Sequence, residues 1–125
     1  MATLEQEHVW LKALVKADGA GMRAAEEKDG KQTHIEVLGY PPSPACGFAW
    51  VSVKPGTSAF AKFLVKKEIA TPSSMGGVRM SIDLFGQDYA LKLAYARACA
   101  DKLTRELVLT QVEPHLIINA GGMLD

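Results

Sequence analysis

The run Phe48-Ala-Trp-Val-Ser-Val53 constrains this chain more than any other stretch. Its aromatic and β-branched residues favour extended backbone. Both sides of the pleat are largely apolar, with Phe48 and Trp50 on one side and Ala49, Val51 and Val53 on the other. Such a strand belongs in the middle of a sheet, and Lys54-Pro-Gly56 stops it. With 125 residues, the chain has the length of one hydrophobic core, so a single domain is expected over 1–125.

A central strand needs neighbours. Thr33, Ile35 and Val37 alternate with His34 and Glu36, which predicts one half-buried strand. Val78, Met80, Ile82 and Leu84 alternate with Arg79, Ser81 and Asp83, which predicts another. A last strand is expected over His115 to Asn119, with Pro114 suiting its start or an edge. Gly39 to Ala45 carries Pro41, Pro42 and Pro44 and reads as a stiff connection, while Thr71 to Gly77 reads as a loop.

Helical spacing fills the gaps. Thr3-Leu-Glu-Gln6 has the form of a capping box, followed by Leu4, Leu11, Leu14, Val15 and Met22 near helical spacing until Asp29-Gly30. Gly19 and Gly21 predict a kink or an early end near Asp18. Thr57 or Ser58 caps a second helix whose Phe60, Phe63 and Leu64 share a face. Gln87 or Asp88 starts the third, in which Tyr89, Leu93, Ala96, Ala100, Leu103 and Leu107 hold steps of three and four. Arg97, Asp101 and Arg105 are spaced for weak pairing along it.

The expected fold is α+β, in the order αββαβαβ, with one four-stranded mixed sheet. A helix over 1–30 packs on a sheet-and-helix core over 32–125. One-sided alternation in the flanking strands places the helices mainly on one face and leaves the other open. That open face would gather His34, Glu36, Arg79, Ser81, Asp83 and His115. If the aromatic side of the central strand also turned outward, Trp50 and Phe48 would join them. An aromatic platform edged by basic and polar groups is the physical recipe for stacking single-stranded nucleic acid. A solvated face, or one covered by a second copy, is the plainer expectation.

Charge bounds the partners. Fourteen basic residues balance fourteen acidic ones, so no long-range field draws the chain to nucleic acid or an anionic membrane, and self-association meets little repulsion. No stretch has the apolar length of a membrane span. Met1-Ala-Thr-Leu-Glu-Gln-Glu lacks the basic and apolar regions of a signal peptide, so a cytoplasmic location is expected.

Catalytic and metal chemistry find little footing. His8, His34 and His115 lack the spacing of metal ligands, and neither a metal nor another cofactor is expected. Cys46 and Cys99 read as small buried thiols. An enzyme built around Cys46 or His115 is the weakest functional expectation. Lys54-Pro-Gly-Thr-Ser58 links the central strand to a helix start, where Thr57 and Ser58 would meet a phosphate-bearing ligand if they do more than cap.

Several of these residues fall in a recurring signature. The run Cys46-Gly-Phe-Ala-Trp-Val-Ser-Val-Lys-Pro-Gly-Thr-Ser-Ala-Phe-Ala-Lys-Phe-Leu64, then Gly76-Gly-Val78, Gln87, Lys92 to Leu103 and the terminal Asp125, resembles a group of small proteins encoded by tailed bacteriophages. Such proteins tend to end in a Ser-Arg pair before an apolar residue and the final Asp. Here Gly122 and Met123 stand in those places, and the segment after Leu107 is longer. The resemblance implies phage origin and a role in the infected cell, without implying a chemistry. The function expected is a non-enzymatic accessory protein that binds a host or defence protein or a small ligand. Its expected ligand-facing residues are Trp50, Arg79, Ser81, Asp83, Thr57 and Ser58. A single-stranded nucleic-acid-binding module is the alternative, and a homodimer is compatible with either.

Overall fold

The computed structural model describes residues 3–36 (side chains through 29), 46–86 and 88–124. The capping box forms as the sequence dictates: the Gln6 N–H donates to Thr3 Oγ1 at 3.1 Å and the Thr3 N–H to Gln6 Oε1 at 3.0 Å. It opens α1, Leu4–Glu36. Then follow β1 (Gly47–Lys54), α2 (Ala59–Lys66), β2 (Thr71–Pro72), β3 (Val78–Ser81) and α3 (Tyr89–Leu103). A π-helical turn at Thr104–Val108 extends α3, and β4 (Ile117–Leu124) completes the described elements. Ser58 caps α2 and Asp88 caps α3, each with a side-chain oxygen accepting a backbone N–H at the third residue on.

The α+β class and the four-stranded sheet stand. The sheet runs β2-β3-β1-β4 and is antiparallel at every pair, not mixed as expected, because the β2–β3 turn reverses the chain before β3 joins β1. β1 is central, as its apolar run requires. The element order differs from the expected one in two places. Residues 33–36 continue α1 instead of forming a strand, which places His34 and Glu36 on the helix, and Val37 lies outside the described residues. A helix already under way gains a hydrogen bond per residue without a new nucleation cost. The helix-favouring Ala24-Ala-Glu-Glu-Lys28 carries it past Asp29 and Gly30. The fourth strand comes from β2, two residues at the start of the loop expected over 71–77.

The expected apolar face of α1 is only partly the buried one: Leu14 and Met22 pack against the core. Leu4 and Val15 are 80% and 72% exposed, and Leu11 is exposed too. The buried line is Trp10, Ala13, Ala17, Gly21 and Ala25, small residues in steps of four behind one indole. They lie against α3, whose Ala96, Cys99, Ala100 and Leu103 are buried. Small residues on both helices permit close approach, which dispersion attraction rewards. Gly21 is therefore a packing position, and α1 runs through it unbroken. A Cβ there would stand 2.5 Å from the Tyr95 ring.

Trp10 closes the end of this interface. Its ring centroid is 5.0 Å from that of Phe63 and 5.9 Å from that of Phe60. Its Nε1–H donates to Glu113 Oε1 at 2.9 Å, which gives a buried carboxylate a partner. Ala49, Val51 and Val53 of β1, Val78 and Met80 of β3, and Ile118 of β4 turn toward the helices and complete the core.

Candidate functional site: the open face of the sheet

Because Ala49, Val51 and Val53 take the core side, strict alternation sends Phe48, Trp50 and Ser52 to the other. No helix among the described residues covers that side. This is the outward orientation on which the aromatic-platform reading depended. Register sets their neighbours. Trp50 lies between Ser81 of β3 and Gly121 of β4, Ser52 between Arg79 and Asn119, and Phe48 opposite Met123.

Trp50 and Arg79 form the centre. The Arg79 guanidinium carbon stands 4.1 Å from the indole centroid, a cation–π stack made along the diagonal of the β1–β3 ladder. The indole edge lies across β4 at Gly121, where a Cβ would meet Trp50 Nε1 at 2.4 Å. Arg79 and Trp50 are both half-buried by this arrangement. Ser52 Oγ donates to the Asn119 carbonyl at 3.3 Å.

Around that centre the face is apolar and open. Phe48 is 53% exposed, Met123 60% and Ile117 57%. Lys92, a buried α3 residue, brings its Nζ to 5.9 Å from the Phe48 centroid and donates to the Gly47 carbonyl at 3.4 Å. Lys54 lies at the far end of β1, opposite Ile117, with its stem across Gly77. The φ of +69° at Gly77 and a Cβ position 2.6 Å from Lys54 Cγ both require glycine there.

The expected ligand residues divide. Trp50, Arg79 and Ser81 come together on the face. Asp83 is exposed beyond the end of β3, and with Ser81 it lines an edge cavity of about 340 Å³ shared with Leu14, Asp18, Tyr95 and Cys99. Thr57 and Ser58 stand apart at the start of α2. The Ser58 hydroxyl is buried and accepts the Ala61 N–H at 3.2 Å, so it serves as a cap. Thr57 is exposed beside Gln6, Lys62 and Lys66.

Inside the edge cavity the Tyr95 hydroxyl donates to Asp18 Oδ1. Burial, then that bond, pushes the tyrosine pKa well above its ordinary value. Burial, with the Asp18 charge adding to it, raises the Cys99 thiol to about 11, so it stays protonated and unreactive near neutrality. Cys46, in contrast to the expectation of a buried thiol, is exposed and bridges to Asp88 through backbone. His115 is exposed in the turn before β4 instead of within a strand.

Among the described residues no group of three or more His, Cys, Asp or Glu is placed to hold a metal ion. Met123 is missed by the sequence reading because the last strand is expected to end at Asn119, whereas β4 runs on through Gly121 and Gly122 to Leu124. Both glycines are within the strand, under the Trp50 and Tyr89 rings. Among the described residues, no helix is long and apolar enough to cross a membrane. Comparison with family models, curated proteins and solved structures finds no match to this chain.

Proposed function

We propose that this chain is a phage accessory protein that acts in the host cytoplasm by binding a host or defence protein, with the open sheet face as the docking surface. The observation that carries this reading is the exposure of Phe48, Met123 and Ile117 around the Trp50–Arg79 stack on a helix-free side. Trp, Phe, Met and Arg are the residues enriched in the cores of protein interfaces, and Ser52, Asn119, Ser81 and Thr71 supply a polar rim. A neutral net charge fits a partner selected by shape and apolar contact over one drawn by long-range attraction.

A photo-crosslinking amino acid at position 48 tests this in cells. A specific protein adduct is expected there and absent when the same probe replaces Val15, an equally apolar but unrelated exposed site on α1. Adducts of equal yield at both positions, or at neither, overturn the reading.

The stacked guanidinium favours a second reading, a single-stranded nucleic acid or a small phosphate-bearing ligand. Arg79 brings positive charge over the half-buried Trp50 ring and Lys92 Nζ lies 5.9 Å from the exposed Phe48 ring, and bases stack on guanidinium planes as well as on rings. Salt-sensitive binding of a fluorescent oligonucleotide, weakened by Trp50→Ala by about 1–3 kcal/mol, would establish it over the first.

A further inference from the structure

The two edges of the sheet are built differently. At one edge, β2 has two residues, and the second is Pro72, whose missing N–H blunts an edge. At the other, β4 spans eight residues and pairs with β1 alone among the described strands. Ile117-Ile-Asn-Ala-Gly-Gly-Met-Leu124 contains no charge and no proline, the usual devices that keep an edge from pairing. Ile117, Met123 and Leu124 are each more than half exposed.

What flanks this edge points to its occupant. On the helix side of β4 a cavity of about 400 Å³ is lined by Arg97, Asp101 and Thr104 of α3 and its extension and by Ile118, Asn119 and Ala120 of β4. Asp101 is paired to Arg105 at 3.2 Å, while Arg97 is in no ion pair among the described residues. Arg97 and Asp101 are one turn apart, so a two-fold axis through the seam would present each to the other of the second copy. An uncharged edge carries no repulsion against itself, and the adjacent helix carries both signs needed for reciprocal pairing.

We infer that β4 pairs antiparallel with the β4 of a second copy, joining the two sheets into one, with Arg97 of each protomer facing Asp101 of its partner. A two-fold perpendicular to the sheet keeps both open faces on the same side. The two β1 strands then lie three strand spacings apart, about 14 Å, with both Trp50–Arg79 stacks on the same side. The pairing does not depend on what the open face binds.

Sedimentation equilibrium of the full chain over a concentration series tests this. The unaltered protein is expected to be dimeric at micromolar concentration. Asn119→Lys, at an exposed edge position, should weaken the dimer about tenfold or more. Arg97→Asp should weaken it as well, and adding Asp101→Arg to Arg97→Asp should restore it. Phe48→Ser should leave it intact, with circular dichroism confirming that each variant is folded. A monomer at all concentrations overturns the inference, as does a dimer indifferent to Asn119→Lys. A dimer dispersed by Phe48→Ser would also overturn it, by placing the contact on the open face.

Discussion

Arg79 lies over the Trp50 indole at 4.1 Å although the two residues are not direct cross-strand partners; Arg79 is paired with Ser52, and Trp50 with Ser81. The stack spans the diagonal of the ladder and holds the indole down across Gly121.

Removing the guanidinium should therefore loosen the face more than the fold. Arg79→Ala is expected to cost about 0.5–1 kcal/mol of stability, the range for a partly exposed cation–π contact. It should also raise iodide quenching of Trp50 fluorescence. Urea unfolding gives the first quantity. A Trp10→Phe background isolates the second, since the chain has two tryptophans. Unchanged quenching would mean that Arg79 does not shield the ring.

Two glycines on α1 should respond in opposite directions to alanine. At Gly21 the new methyl would meet the Tyr95 ring at 2.5 Å, and forcing the helices apart should cost about 1–3 kcal/mol. At Gly19 the nearest atom is Arg23 Nη1 at 3.7 Å, so Gly19→Ala should stabilise by about 0.4–1 kcal/mol through reduced unfolded-state entropy. Thermal unfolding of the two variants checks both signs together.

Trp10→Phe keeps most of the ring packing against Phe60 and Phe63 but deletes the donor to Glu113. A buried carboxylate left without that bond should cost about 1–3 kcal/mol. Adding Glu113→Leu, which removes the orphaned group, should recover part of the loss. A double-mutant cycle in urea measures the coupling.

Alkaline pH should weaken the fold through the edge cavity. The Cys99 thiol has an ordinary value of 9.0 and is raised in the fold to about 11, chiefly by burial. The unfolded chain thus releases its proton first. The stabilisation is complete below about pH 9 and is lost as pH rises through the folded value. Tyr95, raised by burial and by its bond to Asp18, acts in the same direction at higher pH. Stability measured at pH 8 and pH 10.5 should fall less for Cys99→Ala than for the unaltered chain. In the native protein at pH 8, maleimide should label Cys46 quickly and Cys99 only on unfolding.

Local patterning determined much of this protein. The run 48–53 specified a central strand, Thr3, Ser58 and Asp88 specified where helices begin, and the Tyr89–Leu107 spacing specified the longest buried helix face after α1. Each is a property of neighbouring residues, readable at a period of two or near 3.6. The residues around 33–36 misled because five alternating positions are too short to outweigh a helix that is already propagating. The tertiary structure alone decided which side of β1 faces water. Ala49, Val51 and Val53 are small enough to pack beneath α3, whereas Phe48 and Trp50 lie over a strand that has glycine at 121. That choice depends on residues more than seventy positions away in the chain, so no local period carries it. The same holds for Gly21, which reads as a helix breaker until Tyr95 is laid against it.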